Sequence, residues 1–485
     1  MPVLQPLPVE LWAQIFSWTD HGLYIIDWLY VIAPTYNMAR VCSLWREIVN
    51  GMPRLWSSLS VSFDLEGRTG RNNLMPILDM YLKKSEGCTL HIGIFVEDAC
   101  DDDQWPETPN PEMLAIIHLL LSHSSRCTSL DLDFRDEILM KMTEPPPNFS
   151  FPLLRSFTNR VHHLEVNNES HWFWKQILVV TTTTLHHLET EDAVWMYELL
   201  PDRTFHNLTS LTLDDSRDGD FPDFLLFLSA ATNLRALEVT SIPFTPAAPR
   251  SFPEITLPFL RKLELDVTGT AYIHGEPPPS LFAHLKLPAL KEVKVGFKET
   301  VSLHVFATFR DMLRRSQSPL EVLHLILEQL CIDAPTLLDL LRMMGPNLHS
   351  FRLRVDGSIS EQTYQSGLDL SCRVLEELTL ASSHCPLLPH LRNFTLSPSN
   401  KRCPLYETSL LPSQILELWL TMAESRSRRS LQASGFAKEV APLESAGLFP
   451  GYIVTNWFSS LQKHEGDIGA RIQRLEEDHL YCGFN

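Results

Sequence analysis

Histidine is the residue type most suggestively placed for chemistry in this chain of 485 residues: it occurs as neighbours, His162-His163 and His186-His187, at matching points of two adjacent stretches. Two imidazoles side by side could hold a metal ion. Adjacent residues of a strand face opposite ways, however, so each pair offers at most one ring per face, and no cysteine completes a zinc-type spacing. Exposed repeat positions account for them better. The acidic run EDACDDDQWPETPNP at 97–111 could attract a divalent cation, yet it lacks the glycine and terminal glutamate of a calcium loop. With its prolines and no apolar period it reads as an exposed loop. The signatures GxGxxG, GxxxxGK[ST], HExxH and GxSxG are all absent, so no cofactor or metal is expected and catalysis is disfavoured.

What the chain does carry is charge at regular places. One phrase recurs: SLDLDF (129–134), HLEVNN (163–168), HLETED (187–192), SLTLDD (210–215), ALEVTS (236–241), KLELDV (262–267), EVKVGF (292–297), VLHLIL (322–327), SFRLRV (350–355) and ELTLAS (377–382). From Leu164 on, the leading apolar residues recur in steps of 23 to 30 residues, a period that means a solenoid. Between the two apolar positions of each phrase lies a residue that must point out of the sheet. In order these are Asp131, Glu165, Glu189, Thr212, Glu238, Glu264, Lys294, His324, Arg352 and Thr379, with Asp133, Asp214, Asp266 and Arg354 two residues further on. The series turns from acidic to basic, which would select a protein segment with complementary halves. Simple solvation of strand faces is the competing explanation.

The elements that must position these residues follow from the same pattern. Most phrases have another leucine three residues earlier, as in NLTSLTL, NLRALEV, FLRKLEL and PLEVLHL. This is the LxxLxL core of a leucine-rich repeat, whose alternating apolar residues point inward from a short parallel strand. Returns at 172–180, 194–200, 224–230, 305–313 and 337–344 have a helical period, whereas 243–258 and 277–288 are proline-rich loops. No asparagine occupies the usual ladder position, so an irregular solenoid is expected. A last strand at Leu391, Phe394 and Leu396 leads into a helical run at 415–424. The sequence SRSRRSLQAS at 425–434 reads as a basic surface loop, and Ile468, Ile472 and Leu475 suit a closing helix.

Composition sets limits. Hydrophobic residues make up 44% and charged residues 20%, an ordinary globular balance that can supply a real core. A formal charge of −19 argues against wholesale binding of nucleic acid or anionic membrane. Nine cysteines without a CxxC pair fit reduced thiols in a cytoplasmic or nuclear setting, and no secretory leader or spanning segment is evident. The Asn-x-Ser/Thr matches at Asn148, Asn168, Asn207 and Asn393 are therefore read as chance.

The N-terminus has a different texture. Leu7, Leu11, Ile15 and Trp18 recur at helical spacing behind Pro8, which a first turn tolerates, and Glu10, which suits the positive end of the helix dipole. A second stripe, Met38, Val41, Cys42, Trp45, Ile48 and Val49, leaves Arg40, Arg46 and Glu47 on the other side. With Leu7-Pro8, Glu10-Leu11, Ile15-Phe16, Val41-Cys42 and Trp45-Arg46 in order, followed by Pro53-Arg54-Leu55-Trp56, the segment resembles the F-box. That resemblance implies a three-helix module binding the small adaptor subunit of SCF-type cullin ubiquitin ligases, and the cullin through it. Leu7, Pro8, Glu10, Leu11, Ile15, Phe16, Val41, Cys42, Trp45 and Arg46 would be the adaptor-binding residues. The stretch from Phe16 to Val41 is longer than in the shortest F-boxes, with 22–34 as the extra length.

The expected fold is thus mixed, α+β or α/β: a helical F-box at 1–58; a linking strand-helix-strand segment with the acidic loop at 59–128; an irregular leucine-rich-repeat solenoid at 129–424, with a curved parallel sheet and helical or loop returns; and a basic loop with a helical cap at 425–485. The expected role is a non-catalytic substrate receptor whose repeats hold an as yet unknown protein substrate. Glu165, Glu189, Glu238, Glu264, Lys294, His324, Arg352 and Arg354 are the candidate contacts. A leucine-rich-repeat scaffold outside any ligase is the alternative.

Overall fold

The computed structural model of the chain describes residues 7–18, 23–26, 30–64, 74–97, 111–134, 137–142, 144–147, 149–160, 172–190, 204–213, 221–242, 253–268, 281–298, 303–328, 332–356, 361–380, 387–399, 413–434, 440–448, 467–478 and 480–483. It divides into two compact units, Met1–Asp214 and Asp215–Asn485.

In the first unit, helix α1 (Val9–Trp18) precedes a small hairpin of β1 (Leu23–Ile26) and β2 (Tyr30–Ile32), then helices α2 (Pro34–Val41) and α3 (Ser43–Asn50). The strands β3 (Ser58–Asp64), β4 (Leu90–Glu97), β5 (Cys127–Asp133), β6 (Ser156–Asn159), β7 (His187–Thr190) and β8 (Ser210–Leu213) then pair parallel, each beside the one before it in the chain. β1 joins the β3 edge in parallel and β2 folds back on it antiparallel. The register stacks Leu59, Ile92, Leu130, Phe157, Leu188 and Leu211 into one buried column. Each such side chain contributes about 1.5–3 kcal/mol by leaving water.

The second unit repeats the scheme. β9 (Ala236–Ile242), β11 (Lys262–Thr268), β13 (Glu292–Lys298), β14 (Val322–Glu328), β15 (Ser350–Asp356), β16 (Asn393–Ser399), β17 (Ser445–Leu448) and β18 (Tyr481–Gly483) form a parallel sheet in chain order. Short β10 (Ile255–Thr256) and β12 (Leu285–Lys286) pair with each other. Leu237, Leu263, Val293, Leu323, Phe351 and Phe394 make the inner column. The leucines three residues earlier, among them Leu260, Leu290 and Leu320, are buried beneath the turn into each strand. The long parallel sheet with helices places the chain in the α/β class.

The backbone at those turns is satisfied without an asparagine ladder. The carbonyl of Arg261 accepts from the amides of Lys291 and Glu292, and the carbonyl of Lys291 accepts from those of Glu321 and Val322. The Glu321 carbonyl serves His349 and Ser350 in the same way, and His349 serves Arg392 and Asn393. One carbonyl per turn uses both lone pairs, so the two amides that open each of these strands are both paired.

Helical returns at Trp172–Thr183, Phe221–Ala230, Leu303–Ser316 and Ala334–Met344 agree with the apolar periods, as do Ser413–Ser425 and Asp467–Glu477 near the C-terminus. The return expected at 194–200, the phrase HLEVNN with Glu165, the pair His162-His163 and the acidic run after Glu97 lie outside the described residues.

Several expectations need correction. The described part of ELTLAS, 377–380, is not a strand. Helix Glu361–Leu378 runs into it, burying Leu368, Val374, Leu375 and Leu378 at helical spacing, and the place beside β15 belongs to β16. Two leucines separated by one residue fit the end of a helical turn as readily as a strand, and the longer helical stripe decides. Thr379 accordingly donates its hydroxyl to the Leu375 carbonyl at 2.7 Å instead of facing out from a sheet. Between β5 and β7 the strand is β6, carried by Phe157 and Asn159, which departs from the recurring phrase because asparagine replaces the second leucine.

The stripe Met38–Val49 is two helices, broken at Cys42, whose backbone is extended and whose Sγ accepts the Trp45 amide at 3.4 Å. SRSRRSLQAS is no surface loop either. It ends one helix and forms another, Arg428–Ser434, and Arg426 is fully buried. Of the proline-rich returns, 253–257 and 281–288 contribute β10, β12 and a single helical turn, Leu281–His284.

Candidate docking surface

Helix α1 forms because Leu11 and Trp12 amides reach back to the Pro8 carbonyl at 3.1 and 3.3 Å, with Glu10 in the first turn. Its inner face is aromatic. Trp12 and Phe16, four residues apart, meet Trp45 of α3, each with ring centroids 4.9 Å from it. Phe16 is 2% exposed, so it anchors the helix and is not itself a contact surface.

Below this cluster Ile48 and Val49 are buried, and the Trp56 indole N–H donates to the Val49 carbonyl at 3.0 Å. Thr35 donates to the Leu55 carbonyl at 2.7 Å, and Arg46 Nε donates to Ala39 O at 3.0 Å. These bonds fix α2 and α3 against the chain that enters β3.

The outer face of the same helices is apolar and open. Leu7, just ahead of α1, and Leu11 and Ile15 on it are exposed at helical spacing, ending at Trp18 with 75% of its surface in solvent. Val9, Val41 at 61%, and Leu44 add to it from the helix start and from the α2–α3 break. Cys42 lies exposed between the last two. Tyr36, with Arg40 stacked 5.6 Å above its ring, and Ile32 are exposed nearby in sequence. Nine of the twelve exposed large hydrophobic side chains among the described residues fall within 7–44. Scattered exposed leucines need no explanation, whereas a concentration of them is a feature that docking surfaces have.

Of the residues expected to dock, Leu7, Pro8, Glu10, Leu11, Ile15, Val41, Cys42 and Arg46 are exposed, Trp45 is half-buried and Phe16 is core. Leu44, three residues after Val41, is exposed as well, and its spacing could have flagged it.

The sheet faces carry the second set of candidates. In the first unit the outward row is Ser60, Gly93, Asp131, Thr158, Glu189 and Thr212. Arg160 binds Glu189 at 2.6 Å and reaches Asp133 at 3.9 Å. Burial pushes the Asp131 carboxyl up to about 6, with Glu189 and Asp133 adding repulsion against the pull of Arg160. His186 Nδ1 lies 2.6 Å from the Thr184 carbonyl, and His187 lies 4.0 Å from Glu189. Among the described residues no three His, Cys, Asp or Glu side chains are grouped to hold a metal ion.

In the second unit the row is Glu238, Glu264, Lys294, His324, Arg352 and, in the place expected for Thr379, Thr395. The structure alters its charge balance. Glu264 is paired with Lys294 across the strands and lies 3.4 Å from Lys262. Burial and the neighbouring Arg352 and Lys294 push the His324 imidazole down to about 4, so it is neutral at pH 7. The middle of the row is thus neutralised, and the basic end is Arg352 with Arg354.

No protein-family model matches this sequence, and no curated protein matches it. No helix among the described residues is long and apolar enough to cross a membrane.

Proposed function

We propose that this chain is the substrate-recognition subunit of an SCF-type ubiquitin ligase: a non-catalytic receptor with an F-box at its N-terminus and a leucine-rich-repeat-like body. The observation that carries the reading is the concentration of exposed apolar side chains on α1 and the α2–α3 break, beside the residues that resemble the F-box. An apolar stripe held rigid from behind by Phe16 and Trp45 is suited to burial against a helical adaptor. The repeated strands offer an open, charged face for a protein substrate. Holding that substrate near a ubiquitin-loaded enzyme raises the effective concentration of the reacting groups, which needs no catalytic residue on this chain.

The test is capture of the purified adaptor by the full chain and by its Leu11→Asp/Ile15→Asp variant. Binding by the native chain and loss in the variant support the reading. Retained binding in the variant refutes the docking assignment. A folded native chain that binds no adaptor favours the repeat scaffold outside a ligase.

A further inference from the structure

The extra length between α1 and α2 has a place in the sheet. Its segments Leu23–Ile26 and Tyr30–Ile32 are β1 and β2, and β1 lies parallel to β3 with Leu23 beside Leu59, Tyr24 beside Ser60 and Ile25 beside Val61. Leu23 is fully buried and extends the inner column that continues through Leu59, Ile92 and Leu130. The chain that follows is held as firmly: Ala33 is buried, and Thr35 donates its hydroxyl to the Leu55 carbonyl at 2.7 Å. By its packing the hairpin belongs to the repeat sheet.

β3 is a strand that needs such a neighbour. Its sequence, SLSVSFD, alternates three fully buried apolar residues, Leu59, Val61 and Phe63, with three serines. It has no lysine, no proline and no charge before Asp64, the devices by which exposed sheet edges turn other strands away. With β4 alone beside it, β3 would present unpaired N–H and C=O groups on an apolar-backed strand, a combination that templates the addition of another strand. β2 is blunt by contrast. It runs antiparallel to β1 over three residues, Pro34 follows it by two, and it is the outermost strand at this end of the sheet among the described residues. A strand that short, with a proline behind it, offers little ladder to a newcomer.

We propose that the hairpin of β1 and β2 is an edge guard: it occupies the β3 edge and so keeps a second copy of this chain from pairing there. The strand it excludes is another β3. Identical edges meet about a two-fold axis, which sets them antiparallel, and SLSVSFD then faces itself with its serines on one side and its apolar residues on the other. This goes beyond the receptor reading and does not depend on it, since it concerns the sheet edge and not the exposed positions Leu11 and Ile15.

The experiment is sedimentation of the full chain without adaptor across the micromolar range. Three proteins are compared: the native chain, a variant with 23–32 replaced by a glycine-serine linker of equal length, and Leu23→Asp, whose charge cannot stay in the buried column and so releases the hairpin. Expected are a native monomer and a concentration-dependent dimer in both variants. Ser60→Cys added to the linker variant identifies the contact. Across a two-fold pair of β3 strands the two thiols lie within roughly 10 Å, so a short bismaleimide joins them; the linker variant with Ser60 intact controls for the native thiols. In the native chain the amides of 24–26 should exchange roughly a hundredfold or more slower than in an unfolded chain.

A native chain with hairpin amides exchanging at the unfolded rate overturns the proposal, and so does a folded linker variant that stays monomeric. Association that Ser60→Cys fails to cross-link overturns it as well, because the contact then lies elsewhere. Should circular dichroism show the linker variant unfolded, Leu23→Asp decides: fast-exchanging hairpin amides in a folded monomer remove the guard. Adaptor capture through Leu11 and Ile15 is measured separately, and its failure leaves each of these readouts unchanged.

Discussion

The Phe16 ring meets the Trp45 ring edge-on, with centroids 4.9 Å apart and planes at 70°. This one contact between α1 and α3 assigns the two sides of α1. Once Trp12 and Phe16 turn toward Trp45, the line of Leu7, Leu11 and Ile15 is left facing solvent.

Substitutions on the two sides of α1 should consequently have opposite effects. Phe16→Ala removes a buried aromatic ring and should cost about 3–5 kcal/mol. Leu11→Asp and Ile15→Asp place charge at side chains that are 44% and 37% exposed and should cost less than Phe16→Ala, about 1 kcal/mol each, while abolishing capture of the adaptor. Thermal melting alongside the pull-down checks both, and a Leu11→Asp variant as destabilised as Phe16→Ala would contradict the exposed assignment.

Asp131 carries a stability cost that depends on pH. Its Oδ1 is buried without a hydrogen-bond partner among the described residues, and its carboxyl titrates near 6 instead of the ordinary 3.8. A raised carboxyl favours folding below its unfolded value and loses that contribution as pH rises through the folded value. Asp131→Asn should therefore stabilise the protein at pH 7 by about 1 kcal/mol, allowing for partial solvent screening. The gain should shrink to nothing between pH 6 and pH 4, as read from urea midpoints across that range.

Arg426 acts as a buried tie. Its Nε donates to the Leu378 carbonyl and its Nη1 to the Leu388 carbonyl, both at 2.8 Å, joining the end of helix Glu361–Leu378 to the turn before β16. Burial pushes its pKa down to about 10, which still leaves it charged at pH 7. Arg426→Ala removes the side-chain donor of the Leu378 carbonyl, leaves that of Leu388 with the Leu391 amide at 3.3 Å, and opens a cavity, at a cost of about 3 kcal/mol. Arg426→Lys should recover less than half, because one ammonium cannot span both acceptors in this planar arrangement. Melting temperatures of the two variants provide the measurement.

The closing helix depends on Arg471, which grips Glu424 through two bonds of 2.7 and 2.9 Å and also reaches Glu417 at 2.5 Å. Those hydrogen bonds hold its pKa above the ordinary value. Arg471→Gln should loosen helix Asp467–Glu477 by about 1–2 kcal/mol, since the two glutamates remain able to resolvate. Amide exchange in that helix should quicken roughly tenfold, with the amides of β13 and β14 unchanged.

The repeating phrase determined much of this protein locally. Alternation at Leu323, Leu325 and Leu327 specifies which face of a strand is buried, and the leucine three residues earlier specifies the turn beneath it. Those are short-range patterns, so the strands of most repeats, the helical returns and the two stripes at the N-terminus could be read directly. The tertiary structure decided what depends on a partner far away in sequence. It chose β6 and β16 over other segments as neighbours in the sheets, turned Leu7, Leu11 and Ile15 outward by docking Phe16 on Trp45, and buried Arg426 in a stretch whose composition indicates a surface. It also paired Lys294 with Glu264, thirty residues apart in sequence, so that a row of alternating charges on paper has a neutral middle in space. Periodicity encodes burial along one element, whereas exposure and net charge at a site are set by which elements meet there.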